Sequence, residues 1–230
     1  MNLKIFYHVV DLPFFTFLVH EQFTEMRYSG LLDVAEVYVC CNYNEASYRS
    51  LQDEYKNYTN IHWIFQKNVS NDFEIPTLNF MKDMADNSEE EFFAFYLHLK
   101  GIMHLGGPLQ VPTTHWRWLM NYFNITKWRD CVAKLEEGYD AVGCLINPDV
   151  PPKHFSGNFH WARSSFIKKC NKFLLPHTIG FVPQIPHGKH YRFDAEAWYG
   201  YNNANMYSLY NVWQDYYTQE CPPYLYRTEK

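Results

Sequence analysis

The sequence predicts an α/β domain with a mostly parallel central sheet flanked by helices. Three observations carry that prediction. Up to His98, segments of β-forming residues alternate with segments of helical periodicity, the order that a parallel sheet with crossover helices requires. At 230 residues the chain is long enough for one large α/β domain to bury most of its apolar surface without a covalent staple. Hydrophobic residues make up 47% of it, and no repeat, low-complexity run or linker interrupts them, so a single domain over residues 1–230 is expected.

The elements follow in order. Residues 4–10 read as a buried strand ended by Asp11-Leu12-Pro13. Residues 14–28 place Phe15, Leu18, Val19, Gln22, Phe23 and Met26 on one helical face, closed by Ser29-Gly30. A second strand spans 36–41, a polar helix 45–57 and a third strand 61–65. Pro76-Thr77 opens a helix running to about Ala85, and residues 92–98 form a fourth strand. Beyond it, residues 114–137 read as one long helix or two joined near Asn124. A strand at 140–146 follows the turn at Gly138. Loops are expected at 148–152 and 176–186, and a final helix from Asp194-Ala195-Glu196 toward Tyr216.

Composition narrows the function. Aromatic residues reach 19%, which a Phe- and Tyr-rich core explains, since platforms for sugars or bases need only two or three rings. The formal charge of −5 is spread without a basic tract, so nucleic acid is not an expected partner. Cys40, Cys41, Cys131, Cys144, Cys170 and Cys221 include no C-x-x-C pair and read as buried thiols of a reducing compartment. The start lacks a signal-peptide pattern, and the apolar patch at 12–19 is too short to span a membrane. A cytoplasmic protein is expected, with the cytosolic side of a membrane as the other placement. Eleven histidines, His187 and His190 among them, carry no H-E-x-x-H or Cys/His quartet, so no metal site is assigned. Walker A, G-x-G-x-x-G and G-x-S-x-G patterns are absent from the sequence, which weighs against kinase, dehydrogenase and serine-hydrolase chemistry.

In an open parallel sheet, ligands bind beyond the carboxyl ends of the strands. That rule selects His8 to Val10, the loop after Phe65, and His98 to Gly101. His98 and Lys100, two apart at a strand end, are expected on one side, where imidazole and ammonium suit a diphosphate. Gly101 permits a sharp turn or a close ligand. His154-Phe155-Ser156-Gly157-Asn158 offers turn hydrogen-bonding groups suited to sugar hydroxyls, although an ordinary turn uses the same residues. In Arg192-Phe193-Asp194-Ala195-Glu196-Ala197-Trp198, two carboxylates beside an arginine and an indole could supply a general base at a sugar platform. Acids in a first helical turn also complement the dipole and cap amides, which is the commoner role.

Taken together these segments resemble a group of glycosyltransferases from bacterial surface-glycan clusters and large algal viruses that share an H-x-K-G element, here His98-Leu99-Lys100-Gly101. The other matching segments are Pro76-Thr77-Leu78, Trp116-Arg117 through Trp128, Gly138-Tyr139-Asp140, the run from His154 to Phe159, and Ala195-Glu196-Ala197-Trp198. The resemblance spans almost the whole chain. It implies a GT-A-like, Rossmann-like fold. Residues 1–101 would hold the nucleotide of a donor, with UDP the default carrier, and residues 102–230 a glycan acceptor. His8, Val10, Thr77, His98, Lys100 and Gly101 would border the donor. His154, Ser156, Gly157, Asn158, Arg192 and Trp198 would border the sugar or acceptor. Glu196 matches the position of the base, with Asp194 as N-cap, and the outcome would be inversion. Most GT-A enzymes carry a D-x-D metal motif where this chain has His98-Leu99-Lys100. The departure implies that Lys100 neutralises the leaving diphosphate, while a divalent Mn or Mg held elsewhere stays open.

Two other classes remain. A non-catalytic glycan-binding module would use Trp161 and Trp198 as platforms. A metal-dependent hydrolase would use the histidines with Asp194 and Glu196.

Overall fold

The computed structural model describes residues 2–42, 44–66, 73–147, 152–173 and 192–227. The front half alternates as the pattern predicts: β1 (Leu3–Val9), α1 (Phe15–Tyr28), β2 (Ala35–Cys41), α2 (Arg49–Tyr55), β3 (Ile61–Phe65), α3 (Ile75–Asn87) and β4 (Phe93–His98). Then come α4 (Gln110–Asn121), a π-helical turn (Tyr122–Thr126) and α5 (Trp128–Glu136). The remainder comprises β5 (Ala141–Gly143), β6 (Ile146–Asn147), β7 (His154–Phe155), β8 (His160–Arg163), α6 (Ser164–Ile167), α7 (Arg192–Tyr201) and β9 (Met206–Ser208).

Among the described residues, seven strands form one sheet in the order β3-β2-β1-β4-β8-β5-β9. β1 pairs in parallel with both β2 and β4, and β8 is antiparallel to β4 and β5. The order runs outward from β1 to β3 on one side and resumes with β4 on the other. The reversal therefore falls between β1 and β4, where diverging loops leave a crevice.

Strand alternation sorts the side chains into two layers. Ile5, Tyr7 and Val9 of β1 and Phe95 and Leu97 of β4 face α1, α4 and α5 in one buried cluster. Phe6, Ala94 and Tyr96 face α3, α6 and α7 in the other. Both faces are covered, as a largely parallel sheet requires. The aromatic excess is spent here: Phe95 and Trp161 stack with ring centroids 5.0 Å apart, and both are fully buried.

The back half departs from expectation at three places. The final helix stops at Tyr201, because Asn202 caps Trp198 O through its side-chain amide and Asn203 takes a positive φ of 56°. Residues 206–208 are then a strand. The strand expected at 140–146 ends at Gly143, since Leu145 has φ 59° and breaks the extended run. Finally, β8 follows a turn at Gly157 and Asn158 that reverses the chain back into the sheet. The predicted loop at 176–186, with His187 and His190, lies outside the described residues, as does all but Pro152 of the loop at 148–152. All six cysteines are free and buried. Among the described residues no helix is long and apolar enough to cross a membrane.

Candidate functional site

A cavity of about 680 Å³ opens at the carboxyl ends of β1 and β4, the point where the strand order reverses. Its lining joins residues that are distant in the chain: His8, Val10, Asp11, Asn42, Glu74, His98, Lys100, Gly101, His104, Glu196 and Tyr217 line it among others. Six of the predicted site residues (His8, Val10, His98, Lys100, Gly101 and Glu196) thus meet at one place.

His8 is the penultimate residue of β1 and is 7% exposed, and its Nδ1 lies 2.8 Å from Thr77 Oγ1. Burial pushes its pKa down to about 4, so the ring is neutral at physiological pH. Thr77 is fully buried and outside the cavity lining, where it holds His8 from behind.

Asp11 also lines the cavity. Burial disfavours its charge, but hydrogen bonds donated by Asn42, by Asn44 (2.9 Å) and by Ser47 (2.9 Å) outweigh it and hold the pKa below the usual carboxylate range. The result is a fixed anion with three donors locked around it.

His98 and Lys100 both line the cavity, but they do not share a side as strand alternation predicts. β4 ends at His98, and the Lys100 amide turns back to donate to His98 O at 2.9 Å, which breaks the two-residue period. His98 stays with Tyr96 on the α3 side, its Nδ1 3.9 Å from Glu74 Oε1. The Lys100 side chain crosses to α4, where Nζ sits 3.6 Å from the centre of the Trp116 ring. Gly101 has φ +82° and closes the turn against Thr113, so its freedom of backbone is used.

Arg117, 1% exposed, fixes that turn from below. Its Nη1 donates to Lys100 O at 3.1 Å, and its Nε donates to Glu21 Oε1 at 2.6 Å.

The carboxylates of α7 separate. Glu196 faces the cavity. Asp194 lies inside the first turn, where it accepts a hydrogen bond from Tyr201 Oη at 3.2 Å, and is not among the cavity residues. Burial raises its pKa, with the Tyr201 bond opposing. Arg192 opens α7, and its side chain lies outside the described residues.

The remaining predicted sugar residues are elsewhere. Trp198 is 3% exposed, stacks with Tyr199 and donates its indole N–H to Asn171 O at 2.8 Å. With Trp161 also buried, neither indole is a surface platform. His154 Nδ1 is 3.1 Å from Pro152 O. Ser156, Gly157 and Asn158 form a packed turn: the Ser156 amide donates to Leu145 O, Gly157 has φ +88° and Asn158 φ 60°. A Cβ on Gly157 would stand 2.4 Å from Met120 Sδ and 3.3 Å from Trp116 Cε2. This motif therefore braces α4 and is not part of the cavity lining.

Sequence reasoning missed Asp11, Asn42, Glu74, His104 and Tyr217. The strand-end rule could have found the first two, since Asp11 stands two residues beyond β1 and Asn42 one beyond β2. Among the described residues no group of three or more His, Cys, Asp or Glu is placed to hold a metal ion.

No protein-family model matches the sequence, and no curated protein matches it. Among solved structures the chain is similar to a candidate nucleotide-diphospho-sugar transferase from Desulfovibrio desulfuricans, at 12% identity over 92% of this chain and 81% of that one, with a TM-score of 0.44. It is similar to TarS 1–349 from S. aureus at 13% identity over 92% of this chain, with a TM-score of 0.47. That structure has also been solved with UDP-GlcNAc, where the TM-score is 0.45. This chain spans 60% of the TarS chain. A 4-diphosphocytidyl-2C-methyl-D-erythritol synthase is similar at 8% identity, with a TM-score of 0.43.

Proposed function

We propose that this protein is a GT-A-type glycosyltransferase that moves a sugar from a nucleotide-sugar donor, carried by UDP, to a glycan hydroxyl with inversion. The observation that supports it most is the position of the cavity. It lies at the reversal of strand order, where parallel α/β sheets take nucleotides, and it gathers an ammonium and carboxylates at that crevice.

In this reading the nucleoside lies toward Asp11 and Asn42, the diphosphate meets Lys100, and the sugar reaches Glu196. Glu196 is preferred as base because, of the two predicted carboxylates, it is the one lining the cavity. As the acceptor oxygen attacks the anomeric carbon, its proton passes to the Glu196 carboxylate. A carbon–oxygen bond forms to the acceptor while the bond to the diphosphate breaks, and the electron pair leaves with the diphosphate beside Lys100. Residues 1–101 serve the donor and the remainder the acceptor. The resemblance sets Lys100 at about the place of the D-x-D metal motif of most GT-A enzymes, so turnover is expected to persist in excess chelator; turnover abolished by chelator and restored by manganese would overturn that part.

Thermal stabilisation by the common nucleoside diphosphates, with and without manganese, tests the reading. A ligand that binds the native state raises the melting temperature by mass action. A rise with one nucleotide supports the transferase and names its carrier. No rise with any nucleotide overturns it and favours sugar binding without a nucleotide.

A further inference from the structure

We infer that Trp116 is a positioning residue for Lys100, holding its ammonium at a fixed point of the cavity before a diphosphate arrives. The inference rests on the donor-site reading above and extends it to a residue that does not line the cavity.

The geometry is specific. Lys100 Nζ lies 3.6 Å from the Trp116 ring centre and 5.4 Å from that of Tyr217. An indole face is the strongest aromatic partner for an ammonium, and the attraction grows as water is excluded. Here Trp116 is 5% exposed and Lys100 7%. The indole is itself clamped. Tyr216 stacks on it at 5.7 Å, Tyr217 meets it edge-on at 5.0 Å, and Gly157 passes close enough that a Cβ would touch it.

Two consecutive residues of α4 thus hold one lysine at both ends. Arg117 bonds the Lys100 carbonyl and is anchored by Glu21, while Trp116 carries the ammonium. A free lysine has four flexible bonds and loses much of that freedom when it fixes a phosphate oxygen. Ordering it in advance removes that loss from the binding step and keeps the charge aimed where the leaving group will develop it. The Ser156-Gly157-Asn158 turn enters the site by this route, through the packing beneath Trp116.

The test compares wild type, Trp116→Leu, Lys100→Met and the double variant. Affinity is read by calorimetry for whichever of UDP, GDP, ADP or CDP stabilises the wild type most. Each single change should weaken binding about 10-fold, and the double variant should bind no worse than Lys100→Met alone. Trp116→Phe, which keeps an aromatic face, should restore part of the loss. In parallel, the Lys100 ε-CH2 resonance, assigned by its disappearance in Lys100→Arg, should be shifted upfield by the indole ring current in the wild type. Losses that add in the double variant overturn the inference while leaving the transferase reading intact. An unshifted Lys100 resonance overturns it whether or not Trp116→Leu folds. A wild type that binds no nucleoside diphosphate overturns the transferase reading instead.

Discussion

His8 Nδ1 and Thr77 Oγ1 lie 2.8 Å apart beneath the cavity, so the end of β1 is pinned by the first turn of α3. Both groups are buried and each satisfies the other. Thr77→Val keeps the shape but leaves an imidazole nitrogen unpartnered. It should lower stability by about 1–3 kcal/mol, measured by urea unfolding, and loosen the ring that borders the cavity.

Stability should fall as the medium is acidified from about pH 6.5 toward 5. Burial lowers the pKa of His8 to about 4 and of His160 to about 3, so in the native state both stay neutral while in the unfolded chain both take up protons. A depressed histidine stabilises fully above its unfolded pKa and loses that contribution as pH falls. Glu25 works the other way. Its pKa is raised to about 7 by burial and then by Glu21, so it takes up a proton on folding. Two histidines against one glutamate leave roughly one net proton favouring the unfolded state near pH 5, a slope of about 1.4 kcal/mol per pH unit. Urea midpoints at pH 7, 6 and 5 check this; equal midpoints would contradict it.

Glu196→Gln should reduce sugar transfer by about 10²–10⁴-fold, the usual worth of a general base, while nucleotide affinity changes little. Turnover on a sugar donor and calorimetric binding, read on the same protein, separate the two. Near-normal turnover would reassign Glu196 to structure.

Gly157→Ala should cost about 1–3 kcal/mol, seen as a lower melting temperature. The residue sits at φ +88°, and a Cβ would meet Met120 Sδ at 2.4 Å, so the backbone strain and the contact act together.

The front half was legible because its local and global signals agree: β-formers and helical stripes alternate, and each crossover carries a helix. The cavity was legible for the same reason, since a strand-end rule locates His8, Val10, His98 and Lys100 without any side-chain geometry. What failed was whatever depends on small backbone departures. Positive φ at Leu145 and Asn203 ended a strand and a helix whose hydrophobic pattern ran on. The turn at Lys100 sent its side chain across the sheet, against strand alternation. Trp198 and the turn at Gly157 lie outside the cavity lining, a placement that residue type does not give, because aromatic and small polar residues suit packing and recognition equally well. Tyr217 carried no local signal, because its place comes from a segment folding back beyond β9.

That segment has a consequence for how the protein is made. A ribosome delivers Asp11, Asn42 and β1 early, and their side of the crevice can form once β4 has joined β1. Tyr216 and Tyr217, which steady Trp116 and flank Lys100, emerge only after β9. A nascent chain halted before that point would carry the Asp11 side of the cavity without the clamp on its ammonium. The clamp on Lys100 is thus completed only after β9 has emerged, later than the Asp11 and Asn42 side of the crevice.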